Sequence, residues 1–152
     1  MRESTGKRVL IIGGNSTIGH LMENYLRDAK YVVHKTTRRI HEASKTNIFV
    51  DLHCKQTFSS ITERYDYAIM TSGITSLEKC NVEREYTHLI NVKNTIALIK
   101  HLETLVSKVI YLSTSLVFSD KDIVHAEEYP VNPKTVYGKQ KAEVEAYLLG
   151  NK

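Results

Sequence analysis

Residues 8 to 12 (RVLII) are short and almost wholly apolar, stop at Gly13-Gly14, and lead within five residues into an amphipathic stretch. A run of that kind reads as a strand buried on both faces, the mark of a parallel sheet. Ile18, Leu21, Met22, Tyr25 and Leu26 follow at i, i+3, i+4, i+7 and i+8, which is one face of a helix. Strand, glycine turn and helix in that order predict the opening of a right-handed βαβ unit.

The alternation continues. Strands are predicted at 31–36, at 47–50 ending on Asp51, at 67–70 closing on Thr71, Ser72 and Gly73, and at 108–112. Between them the pattern predicts a short helix over 58–63 and a long one over 82–105, with Leu89, Val92, Ile96 and Ile99 on one stripe. A last helix is expected over 135–149, with Gly150 as its C-cap. The expectation is an α/β fold: one Rossmann-like domain over 1–152, a doubly wound parallel sheet of about five strands with helices on both faces.

Composition narrows the function classes. The 152 residues are 41% hydrophobic and 25% charged, as in an ordinary soluble globular domain. No apolar run reaches the ~18 residues of a membrane span, and the polar opening MRESTGKR has no signal-peptide core, so a cytoplasmic protein is expected. Cys54 and Cys80 stand far apart without ligand-like spacing and read as free thiols. The seven histidines form no metal-ligand pattern, and no metal is expected. The formal charge of +4 is scattered, Arg38-Arg39 apart, which suits a small anionic ligand and not a nucleic acid.

The glycine turn names that ligand. Gly13, Asn15, Ser16, Thr17, Ile18 and Gly19 lie at the first strand-to-helix junction, where glycine lets the backbone approach a pyrophosphate and the helix N-terminus offers N–H groups and a positive dipole. An NAD site usually has an acid about 20 residues beyond the glycines, at the end of the second strand. Here residues 34–39 read HKTTRR, without an acid, and Arg38 and Arg39 suit a 2′-phosphate because guanidinium binds phosphate bidentately. NADP is therefore the expected cofactor, with NAD as the alternative.

The last helix carries the chemistry. Tyr137 and Lys141 are i and i+4 on one face. A free phenol, with a pKa near ~10, is a poor acid or base at neutral pH, and a nearby ammonium would pull it toward the working range.

These segments together resemble the extended branch of the short-chain dehydrogenase/reductase superfamily, the NAD-dependent epimerase/dehydratase family. Gly13 and Gly19 match the outer glycines of its Gly-x-x-Gly-x-x-Gly turn, while Ser16 replaces the middle one. Asp51-Leu52 resembles its acid beside the adenine, and Thr71, Ser72 and Gly73 its small-residue turn beside the cofactor. Residues 113–118 (STSLVF) resemble its Ser-Thr-x-x-Val-Tyr/Phe segment, and 91–95 (NVKNT) its Asn-Val-x-Gly-Thr, with Asn94 in place of glycine. Within the family the dTDP-4-dehydrorhamnose reductase-like group is the nearest likeness, through residues 75–92 and the run Glu127-Glu128, Pro130, Asn132-Pro133 and Val136-Tyr137-Gly138.

The resemblance implies hydride transfer at a sugar-nucleotide carbonyl. Tyr137 would donate the proton, Thr114 would hydrogen-bond the oxygen, Lys141 would bind the nicotinamide ribose, and Asn91 would support the water network. It also implies a homodimer packed through the helices at 82–105 and 135–149, if Leu98, Leu102 and Tyr147 are exposed and not packed internally. Relatives continue into a sixth strand and a smaller substrate domain, and this sequence stops where those would begin. Three accounts stay open: a truncated chain, a half-protein needing a partner, or a dinucleotide-binding or interaction module without catalysis.

Overall fold

The computed structural model describes residues 6–118, 126 and 128–150; Glu127 and the opening segment lie outside the described residues. Five strands form one sheet: β1 (Arg8–Ile12), β2 (Val32–Thr37), β3 (Asn47–Phe49), β4 (Tyr65–Met70) and β5 (Val106–Tyr111). Their order is β3-β2-β1-β4-β5, and every pairing is parallel. Val9 lies opposite Val33 on one side and Tyr67 on the other, so the apolar β1 predicted from its composition is the central strand. The expected parallel α/β architecture is present.

The chain divides into two compact units. The first comprises residues 1–72 with 97–112 and contains the whole sheet; the second comprises 73–96 with 113–152. In the first unit Val9, Ile11, Val33 and Ile69 form a core face covered by Met22, Leu26, Tyr31 and Tyr67. Leu10 and Ile12 alternate to the opposite side of β1 and are buried as well.

Helix α1 (Thr17–Asp28) forms where predicted, but its inward face is not the predicted one. Ile18, Leu21 and Tyr25 are 54%, 63% and 74% exposed, while Gly19 and Glu23 are buried and Met22 and Leu26 meet the core. The cause is polar. Glu23 binds Lys35 of β2 at 2.6 Å and Arg27 at 3.1 Å, which turns the helix about a residue from its apolar stripe. Burial disfavours the Glu23 carboxylate, yet Lys35 and Arg27 hold it below the usual glutamate range.

The long helix expected over 82–105 is interrupted. It is replaced by α2 (Leu77–Val82), α3 (Arg84–His88), a π-helical segment (Leu89–Asn94) and α4 (Thr95–Leu102). A 3.6-residue period cannot register an inserted residue, and this is why the pattern read as continuous. Leu98 and Leu102 are fully buried and Tyr147 half-buried, so the two leucines pack internally and offer no dimer surface. Residues 58–63 do not form the expected helix; a 3-10 turn spans Lys55–Ser60 instead. The last helix, α5 (Val136–Gly150), includes Gly150 as its final residue, where a following cap was expected.

Candidate functional site

In the first unit the glycine turn is built by close approach. Gly13 has φ +95°, and a Cβ there would stand 2.9 Å from the Ser72 nitrogen. At Gly19 a Cβ would meet the Gly13 carbonyl oxygen at 2.4 Å, so the first turn of α1 lies directly on the strand-ending backbone. Ser16 is the N-cap of α1, its Oγ accepting from the Gly19 N–H at 3.0 Å. That hydroxyl also lies 3.1 Å from Thr71 Oγ1. The serine that departs from the family turn is thus the residue that closes the helix end. Thr17 and Ile18 follow it, both exposed.

Thr71 ties β4 to the turn, its Oγ1 reaching the carbonyls of Ile12 (2.9 Å) and Gly13 (3.1 Å). Beside it Ser72 Oγ is buried with no hydrogen-bond partner among the described residues. An orphaned hydroxyl costs stability unless something supplies a partner. Asp51, after β3, accepts from the His53 backbone at 3.0 Å and ring at 2.9 Å, and Leu52 is buried. Burial opposes the Asp51 charge, but the His53 contacts hold its carboxyl below the ordinary aspartate value.

Arg38 and Arg39 are both exposed after β2. Arg39 is not waiting for a ligand: its guanidinium pairs with Glu42 at 2.8 Å. Glu42 also accepts from Asn15 of the glycine turn (2.9 Å) and from Thr37 (3.3 Å). Sequence reasoning missed this acid because it lies beyond the strand end, in a 3-10 turn over Ile40–Glu42.

In the second unit Thr135 directly precedes α5, and its Oγ1 accepts from the Gly138 N–H at 3.0 Å. A Cβ at Gly138 would stand 2.3 Å from the Leu116 carbonyl oxygen. Glycine therefore lets the first turn of α5 abut the short turn over Ser115–Val117, which Thr114 caps by accepting from Leu116 N–H at 3.3 Å. The predicted Thr114 and Tyr137 segments are neighbours for this reason.

Tyr137 and Lys141 are each 8% exposed, and the Lys141 Nζ lies 5.9 Å from the Tyr137 ring centroid. Burial lowers the Lys141 ammonium to a pKa of about 8, against a smaller opposing pull from Glu145. Burial also moves the Tyr137 phenol upward, with Cys80 acting in the same sense. Among the protein's own groups, burial is the larger influence on this phenol.

Asn91 sits in the π-helical segment and is fully engaged. Its Oδ1 accepts from the Ile74 N–H (2.7 Å), and its Nδ2 donates to the Ile74 carbonyl and to Gln140 Oε1, both at 2.8 Å. Gln140 Nε2 in turn donates to Thr87 Oγ1 at 2.9 Å. Gln140, which the sequence reading passed over, is the buried partner that joins α5 to this segment. Gly73 begins the unit, next to the loop that Asn91 holds. Among the described residues no cluster of three or more His, Cys, Asp or Glu could hold a metal, and no helix is long and apolar enough to cross a membrane.

The chain has relatives among known proteins. The chain is 25% identical over 135 residues to the spore coat polysaccharide biosynthesis protein SpsK of Bacillus subtilis (strain 168), covering 88% of this chain and 45% of that one. MoeE5, solved in complex with UDP-glucose and NAD, is similar with a TM-score of 0.82 at 22% identity, over 94% of this chain and 48% of its own. The dTDP-4-dehydrorhamnose reductase of Bacillus anthracis str. Ames, solved in complex with NADP, gives a TM-score of 0.82 at 19% identity, over 97% and 50%. This chain thus spans about half the length of the relatives it matches. At such identities the structural likeness shows the Rossmann-like fold alone. The sequence of residues 9–150 matches the NAD dependent epimerase/dehydratase family, and the chain belongs to it.

Proposed function

We propose that this chain is the dinucleotide-binding and acid–base part of an NAD(P)-dependent reductase or epimerase of sugar-nucleotide carbonyls. The observation that carries the reading is the buried Tyr137–Lys141 pair on α5, packed through Gly138 against the turn that Thr114 caps. The relatives add the substrate class, since MoeE5 was solved with UDP-glucose.

The first unit fits a dinucleotide. Gly13 and Gly19 let the turn and the start of α1 close tightly on the strand-ending backbone, where a Cβ at either would meet the protein's own atoms. The Ser72 hydroxyl is buried without a partner among the described residues. Asn15, Ser16, Thr17 and Ile18 complete the turn at the helix N-terminus, with Thr71 and Gly73 flanking Ser72, and Asp51, Leu52, Arg38 and Arg39 at the strand ends. A nicotinamide cofactor, when bound, supplies or accepts the hydride. Tyr137 holds the proton exchanged with the carbonyl oxygen, Thr114 offers its hydroxyl to the same oxygen, and Lys141 places a positive charge beside the phenol. Asn91 keeps the Ile74 loop and α5 in register.

Isothermal titration with NADH and NADPH tests the first half: absence of binding at millimolar cofactor sinks the reading. For the second half, Tyr137→Phe in the protein assayed for turnover should lower kcat by about 10²–10⁴ while dinucleotide affinity stays near wild type. The raised phenol of Tyr137 favours a second reading, a dinucleotide-binding module without catalysis. Undiminished turnover in the Tyr137→Phe protein would leave the acid–base role without support, and binding without any turnover would favour the module.

A further inference from the structure

The acid that the end of β2 lacks is supplied from outside the strand. Glu42 Oε2 accepts from Asn15 Nδ2 at 2.9 Å and from Thr37 Oγ1 at 3.3 Å, and Oε1 accepts from Arg39 at 2.8 Å. One carboxylate therefore spans the glycine turn, the last residue of β2 and Arg39, one of the two candidate phosphate ligands. The Arg39 and Asn15 contacts hold Glu42 ionised, with its pKa lowered to about 2. The charge of Arg38 adds a minor contribution to keeping Asp51 ionised, behind the His53 contacts. Arg39 therefore meets an incoming anion already paired with a carboxylate.

An unphosphorylated adenosine ribose offers hydroxyl donors, which a carboxylate accepts; a 2′-phosphate offers only acceptors and negative charge. We propose that Glu42 is the residue by which this chain selects its cofactor: it accepts the ribose hydroxyls of NAD(H) and repels the 2′-phosphate of NADP(H), with Arg39 as its counterion. The inference rests on the reading that the glycine turn binds a nicotinamide dinucleotide. It runs against the preference that Arg38 and Arg39 suggest from sequence, because one of them already has a partner.

Titration calorimetry of the whole chain with NADH and with NADPH tests it. The wild type should bind NADH more tightly, and Glu42→Gln should raise NADPH affinity on the order of tenfold while lowering NADH affinity. The gain should disappear in the double variant Glu42→Gln/Arg39→Gln, since the freed guanidinium is what takes the phosphate. If neither dinucleotide binds the wild type, the proposed function falls and this inference with it. If both bind and Glu42→Gln leaves their ratio unchanged, or the wild type prefers NADPH, the selection role alone is overturned. Should Glu42→Gln fail to fold, the wild type decides: it should bind 5′-AMP more tightly than adenosine 2′,5′-bisphosphate, and the reverse order overturns the proposal.

Discussion

Lys141 keeps an ammonium in a place that is only 8% exposed, and desolvation brings its pKa to about 8 from 10.5. At neutral pH the folded chain thus carries a charge it would hold more easily when unfolded. Lys141→Met keeps the length of the stem and removes the charge; it should raise stability by roughly 2–3 kcal/mol at pH 7, read as a higher Tm. An unchanged or lower Tm would contradict the desolvation cost assigned to Lys141. A second residue fails in the opposite sense. Gly138→Ala puts a methyl 2.3 Å from the Leu116 carbonyl oxygen, a backbone atom that must move, and should cost about 1–3 kcal/mol in urea melts. Tyr137 and Lys141 were legible in sequence as an i, i+4 pair, but the upward displacement of the Tyr137 phenol was not. Spacing gives proximity on a helix; desolvation depends on what else packs there. Gln140, three residues after Tyr137 on the same inward side of α5, had a faint signal of this kind, and Glu42 had none.

Between elements, one side chain does much of the joining. Asn91 accepts one backbone bond from Ile74 and donates to the Ile74 carbonyl and to Gln140, linking the π-helical segment, the 73–76 loop and α5. Asn91→Ala leaves the Ile74 N–H and carbonyl and Gln140 Oε1 without these partners. A loss of roughly 2–4 kcal/mol is expected, together with faster amide exchange at Ile74 than at β1 residues. Equal acceleration at both places would mean that the network does not act locally. The break in the helix expected over 82–105 belongs to the same scale. Thr95 Oγ1 donates to the Ile90 carbonyl at 2.9 Å, serving a group in the expanded segment, and buried polar partners of this sort leave no trace in an apolar period.

For the whole molecule the displaced pKa values give a signed stability profile. Between about pH 8 and 10.5 the unfolded Lys141 binds more protons than the folded one, so stability rises with pH across that window. Above pH 10 the signs reverse: Tyr65, pushed up by burial to about 12, and Tyr137, also raised, keep protons in the folded state that the unfolded chain releases. On the acid side Glu23 and Asp51, both lowered, contribute stability that is lost as pH falls below their ordinary values of 4.5 and 3.8. Thermal melts from pH 3 to 11 should therefore show a rise from pH 8 toward a maximum near pH 10. A flat profile between pH 8 and 10 would contradict the burial assigned to Lys141.

The parallel sheet, its first helix, the glycine turn and the Tyr137–Lys141 spacing were all determined by the sequence alone. Each depends on contiguous residues: apolar runs that need burial, glycines where a backbone must come close, and a helical repeat that aligns i with i+4. Tertiary structure alone decided which face of α1 turns inward, where Asn91 finds its partners, that Leu98 and Leu102 are internal, and that Glu42 lies against Asn15. Those outcomes come from desolvation and from contacts between residues far apart in the chain, and neither acts until the chain has folded.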